Sequence, residues 1–148
     1  MRLATPIKVR TLQRKLYGKA KSEPRFRFYS LYDKICREDV LAHAFAVAKA
    51  NGGAPGVDGV TFAQIVTDGL EDWLRRLRED LQSRRYRPDA VRWVYLPKPG
   101  GGERPLGIPT IRDRVAQTAA TIVLSPIFEA DFDDAMYGYG HRARPRLY

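Results

Sequence analysis

The chain is short of the residues that much enzyme chemistry uses. It has one cysteine, Cys36, and two histidines in 148 residues. A single thiol excludes an intramolecular disulfide and spells out no metal framework, so Cys36 reads as a small buried thiol. His43 stands on a predicted helix with no partner four residues on, and reads as structural rather than as a ligand or base. No run resembles a membrane span, and residues 1–10 are basic without the apolar core of a signal peptide. A reducing cytoplasm fits. The glycines at 52, 53, 56 and 59 have the wrong spacing for a dinucleotide fingerprint, and no Gly-Lys-Ser/Thr follows to make a phosphate loop.

What the chain does have is positive charge, unevenly placed. The formal net charge is +9. Residues 1–30 hold nine Lys/Arg and one acid, and residues 84–114 hold eight and three. The two remaining segments are slightly acidic. A polyanion partner, nucleic acid first, is the simplest reading of a basic N-terminal arm (residues 1–30) and a basic central stretch. A solubilising tail is the competing reading of the arm. Within it, Arg14, Lys15, Lys19, Lys21, Arg25 and Arg27 are interleaved with Tyr17, Phe26, Phe28 and Tyr29. Cations with aromatics suit RNA, where phosphates meet Lys/Arg and splayed bases stack on rings. Phe28 and Tyr29 are also expected to anchor the arm to the body. Leu12, Leu16 and Tyr17 line one face of a short predicted helix, and Pro24 stops its continuation.

An apolar fraction of 44% is enough for one core. Val40, Leu41, Ala44, Phe45 and Ala48 predict a helix over residues 38–50, ended by Asn51-Gly52-Gly53. Thr61 and Gln64 have capping-box spacing. Leu70, Trp73, Leu74, Leu77 and Leu81 predict a second helix over residues 68–84, with an ion-paired outer face. Residues 91–96 alternate as a strand, and Pro97 and Pro99 stop it. Gly100, Gly101 and Gly102 permit a reversal. The chain returns through Arg104, Leu106 and Ile108 to Pro109. Lys98 and Arg104 thus flank a hairpin tip, where cations beside open amides suit a phosphate, though a solvated tip is the plainer alternative. Thr110 caps a last helix with Asp113 in its first turn, and Ser125-Pro126 is expected to break and restart it.

Several of these segments carry a resemblance. Lys98-Pro99-Gly100-Gly101-Gly102, Arg104-Pro105-Leu106-Gly107-Ile108-Pro109 and the following Arg112-Asp113-Arg114-Val115 are similar to the first fingers hairpin and helix of group II intron-encoded reverse transcriptases. Gly53-Ala54-Pro55-Gly56-Val57-Asp58-Gly59-Val60-Thr61 resembles that family's N-terminal extension. The likeness runs from about Leu12 to Tyr139.

The resemblance implies a helix-rich α+β fold: part of a fingers subdomain over residues 31–139, one β-hairpin, the basic arm, and a divergent tail over residues 140–148. It implies that Lys98 and Arg104 approach the phosphates of an incoming nucleotide, and that Leu106, Gly107, Ile108 and Pro109 pass the template. Pro55 and Gly56 would approach the template strand, and Arg112 and Arg114 would face nucleic acid; Arg85 and Arg87, cations in the segment that enters the hairpin, are further candidates for RNA contact. Arg112 and Arg114 have a structural alternative, pairing with Asp113, Glu71 or Asp72.

Complete enzymes of this family use Mg²⁺ held by palm carboxylates, which the resemblance places beyond Tyr148. Phe132-Asp133-Asp134 lacks the flanking strands of a metal-binding turn. The expectation is a chain truncated before the palm, inactive alone, without a metal of its own. Its partners would be intron or template RNA and a primer–template duplex, with self-association through uncovered apolar surface. A stand-alone RNA-binding module and a non-functional remnant are the alternatives.

Overall fold

The computed structural model describes residues 3–132; the Tyr137–Tyr139 segment, the tail and the carboxylates Asp133 and Asp134 lie outside them. Five helices and one two-stranded antiparallel sheet make up this part, so the α+β expectation holds.

Helix α1 spans Ile7–Ser22. Its Val9, Leu12, Gln13, Leu16 and Ala20 recur at helical spacing and are buried. The basic arm is therefore largely a helix with one face in the core. Beyond it, Phe28 packs partly against the core. Tyr29 does not anchor anything: it is 86% exposed. Helix α2 (Leu31–Ile35) leads into α3 (Glu38–Asn51), which ends where Gly52 takes φ 68°. In α3, Val40, Leu41, Ala44, Phe45 and Ala48 are buried as their spacing predicts.

Helix α4 (Phe62–Gln82) starts six residues earlier than the apolar stripe alone suggests. The Thr61 side chain accepts a hydrogen bond from the Gln64 amide at 3.1 Å, capping the first turn. The two helical segments meet at Gly69, whose φ of 124° and ψ of 93° are open to glycine without strain. Leu77 and Leu81 are buried, while Leu70, Trp73 and Leu74 are half-buried against the core.

Strands β1 (Arg92–Pro97) and β2 (Glu103–Ile108) pair from Arg92 opposite Ile108 to Pro97 opposite Glu103. Helix α5 (Ile111–Phe132) follows and is the centre of the molecule, packing against α1, α2 and α3.

Pro126 does not break this helix, contrary to the sequence expectation. Proline has no N–H to donate to the carbonyl four residues back, which is that of Ile122. Gln13 of α1 supplies the missing donor, with its Nε2 3.1 Å from the Ile122 oxygen. The helix continues because a neighbouring element satisfies the acceptor that proline orphans.

Candidate nucleic-acid interface

The hairpin tip follows from its glycines. Gly100, Gly101 and Gly102 all have positive φ, and the Lys98 amide donates to the Gly102 carbonyl at 2.9 Å. Lys98 and Arg104 are exposed, and neither has an ion-pair or side-chain hydrogen-bond partner among the described residues. Register places Arg104, Leu106 and Ile108 opposite Leu96, Val94 and Arg92. Directly opposed residues share a face of a sheet. One face of the hairpin therefore carries Arg104, Leu106, Ile108 and Arg92; the other carries Trp93, Tyr95, Pro105 and Gly107.

The first face leans toward the glycine-rich loop. Arg92 Nε donates to the Pro55 carbonyl at 3.0 Å. Arg114 donates to the carbonyls of Pro109 (3.0 Å), Gly52 (3.3 Å) and Ala54. Its guanidinium also lies 6.0 Å from the Phe62 ring centroid. Gly56 is buried against the start of α5, where a Cβ would lie 2.7 Å from both the Thr110 Cα and N. Only glycine fits there. Pro55 is half-buried beside it. Loop 52–60, hairpin base and α5 N-terminus are thus joined by guanidinium–carbonyl bonds and one close backbone contact.

A second polar cluster holds the strap that enters the hairpin. Asp113 is 2% exposed. It accepts from the Tyr86 hydroxyl and, at 2.8 Å, from the Asp89 amide. The Asp89 carboxylate accepts from Thr110 Oγ1 at 3.1 Å, and the Thr110 hydroxyl accepts from the Asp113 amide at 3.3 Å, so Thr110 caps α5 as its spacing predicts. Arg112 lies over the Tyr86 ring, 4.3 Å from its centroid, and donates to the Arg87 carbonyl at 3.0 Å. It stands 3.4 Å from Asp80, 3.9 Å from Asp89 and 3.8 Å from Asp113. Burial, reinforced by the Asp113 carboxylate, pushes the Tyr86 phenol far above its ordinary value and keeps it a donor.

Arg112 and Arg114 are therefore engaged inside the fold. Arg112 stands near Asp113, one of the partners expected for it, whereas Arg114 meets backbone carbonyls and none of the three expected carboxylates; neither pairs with Glu71 or Asp72, and Asp72 binds Arg75 instead. Among the other candidates, Arg14 and Lys15 are exposed on α1, and Arg25 and Arg27 follow it, also exposed. Lys19 pairs with Glu23 and sits 4.4 Å from the Phe26 ring centroid. Lys21 is exposed at the end of α1. Arg85 and Arg87 are exposed on the strap, Arg87 donating to the Tyr86 carbonyl at 2.8 Å. The cations fall into two groups. Gln13 meets α5 at Ile122, eleven residues beyond the hairpin's junction at Ile111, or about 16 Å along the helix.

The chain is 40% identical over 130 residues to Protein YkfC of Escherichia coli (strain K12), covering 86% of this chain and 34% of that protein. It is 32% identical over 114 residues to the group II intron-encoded protein LtrA of Lactococcus lactis subsp. cremoris, covering 76% of this chain and 18% of that protein. The chain belongs to the group II intron-encoded protein family. A putative COX1/OXI3 intron 2 protein of Saccharomyces cerevisiae is 31% identical over 84 residues, 56% of this chain and 9% of that protein. No family model matches. The chain spans about a third of the first of these relatives and under a fifth of the second.

Within this family member, sequence reasoning missed the fastening residues Tyr86, Asp89 and Arg92. Asp113 was legible as a first-turn acid and as a partner open to Arg112 or Arg114, but not as the acceptor for Tyr86 and Asp89. The signal for Arg92 was its alternation with Trp93, which marks the two hairpin faces without naming their neighbours. His43 is buried, and burial holds its imidazole below the usual value, in keeping with a structural role. Cys36 is buried, which pushes its thiol up and away from reactivity.

The described residues do not suit the Mg²⁺ that the resemblance implies for a complete enzyme. Among them, no three His, Cys, Asp or Glu are grouped to hold a metal ion. Asp80, Asp89 and Asp113 face Arg112, Thr110 and Tyr86 instead. Among the described residues, no helix is long and apolar enough to cross a membrane.

Proposed function

We propose that these residues are the fingers part of a group II intron-type RNA-directed DNA polymerase, and that by themselves they bind RNA without catalysing extension. The observation that carries the reading is the hairpin: Lys98 and Arg104 are exposed at its tip without anionic partners, beside positive-φ glycines. Cations so placed suit the phosphates of an incoming nucleotide. Leu106, 43% exposed, lies on the Arg104 face, where it can meet a templating base. Pro55, half-buried and held near that face by Arg92, would border the template strand, with Gly56 packed beneath it against Thr110. The exposed cations of α1 and of the segment to Arg27 form a second contact for intron or template RNA. In a complete enzyme Mg²⁺ supplies charge stabilisation at the reacting phosphate; the residues described here only bind and orient.

The test is primer extension with Mg²⁺ and deoxynucleotides, run beside an RNA-binding titration on the same chain. No extension together with tight, salt-sensitive binding is expected. Extension by the chain alone would overturn the inactive part of the reading. Affinity that is flat across a salt series would overturn the RNA part, because phosphate contacts release counterions.

A further inference from the structure

The second face of the hairpin is not used by that reading. Val91, Trp93 and Tyr95 lie along it in alternate positions, 36%, 61% and 64% exposed. Opposite Trp93 stands Gly107, and opposite Tyr95 stands Pro105. A Cβ at Gly107 would lie 3.1 Å from Val91 Cγ2 and 3.4 Å from Trp93 Cζ3. Both side chains therefore rest on the bare backbone of β2, which supports them from one side and leaves the other side to solvent. The backbone positions that carry them, two residues apart on a strand, are about 6.8 Å apart, or two steps of about 3.4 Å in stacked nucleic acid. Glu103, opposite Pro97 near the tip, is the acid on this face.

We propose that Trp93 and Tyr95 form a stacking platform for unpaired bases of a single-stranded nucleic acid, on the face of the hairpin opposite to Arg104. Charge favours this occupant over a second copy of the chain. The whole chain carries a formal net charge of +9, and Lys98 and Arg104 stand exposed at the tip of the same hairpin. A second copy would bring like charge to the same place, whereas a polyanion is attracted to it. Aromatic rings accept any base by its π-face, so the platform has little sequence preference. The inference goes beyond the polymerase reading and does not depend on it, because it uses different residues on a different face.

The test is a titration of the full chain with a single-stranded oligouridylate, read by anisotropy and by tryptophan emission. Trp93→Ala and Tyr95→Ala each weaken binding about tenfold. Trp93→Phe keeps a ring and stays within about threefold of the parent. The salt dependence is the same in all three, since no phosphate contact is removed. The oligonucleotide quenches tryptophan emission in the parent chain, and this quenching is lost in Trp93→Phe, which retains Trp73. Parent-like affinity in Trp93→Ala, or no quenching in the parent, overturns the proposal. So does sedimentation showing that Trp93→Ala abolishes a dimer while leaving oligonucleotide affinity unchanged. If Trp93→Ala lowers the thermal midpoint, Trp93→Val keeps a strand-forming side chain without a ring and must show the same weakening.

Discussion

In the helical body, Val9, Val40, Leu41, Ala44, Val115 and Val123 are almost completely removed from solvent, whereas no residue of either hairpin strand is buried. The two regions are held by different physics. The body gains about 25 cal/mol for each Å² of apolar surface removed from water, without regard to direction. A lone two-stranded hairpin cannot bury enough to stand by itself. Here it is fastened at the base by directional polar contacts: Asp113 with Tyr86 and Asp89, Arg92 with Pro55, and Arg114 with three carbonyls. Such contacts add little net stability each, but they have geometry. The comparison teaches that stability resides in the helices, while the placement of the candidate phosphate-binding tip is set by polar fastenings. Core substitutions should unfold the chain, and base substitutions should misplace the tip.

The sharpest test of this division is Leu41→Ala, which leaves a cavity at a side chain 1% exposed. It should cost about 2–5 kcal/mol in urea unfolding. A loss under about 1 kcal/mol would mean that the body does not carry the stability. Next is Gly56→Ala, which forces backbone at Thr110 to move. It should cost about 1–3 kcal/mol, and limited proteolysis should detect a loosened loop around residues 52–60. Unchanged stability and unchanged cleavage would remove the loop from the list of fastenings.

Comparable in size is the pairing of Gln13 with the carbonyl that Pro126 orphans. Gln13→Ala should cost about 1–3 kcal/mol by leaving Ile122 unsatisfied. In a Pro126→Ala background the backbone bond is restored, and the same substitution should cost clearly less. Equal costs in the two backgrounds would show that the side chain does not serve the proline gap. The smallest stability effect belongs to the tip. Lys98→Ala and Arg104→Ala should each change unfolding by no more than about 0.5 kcal/mol. Each should also reduce the slope of RNA affinity against salt by about one. A large stability loss, or an unaltered slope, would contradict the assignment of these cations to phosphate.

Much of the body was legible before its structure was known. The apolar spacing in α1, α3 and α4 is helical, and residues placed on one face by 3.6-residue periodicity are buried together. The hairpin was legible from its alternation and its three glycines. Two local signals misled. Ser125-Pro126 reads as a break because local rules count the lost amide, not the side chain on another helix that replaces it. Tyr29 reads as an anchor because an aromatic beside Phe28 carries no information about which way the chain turns. For Arg112 and Arg114 the sequence left two readings open, and the Gly52 and Ala54 carbonyls that Arg114 meets lie too far away in the chain to be named beforehand.

The order of elements, the buried faces of the helices and the existence of the hairpin were determined by the sequence alone, because they depend on residues within a turn or two of each other. Tertiary structure decided which cations remain free. Lys98 and Arg104 stay open at the tip, while Arg92, Arg112 and Arg114 are taken up by partners 5 to 62 positions away in the chain. It also decided that Trp93 and Tyr95 face solvent, since alternation separates the two faces of a strand but only packing against Pro55 chooses the one turned inward.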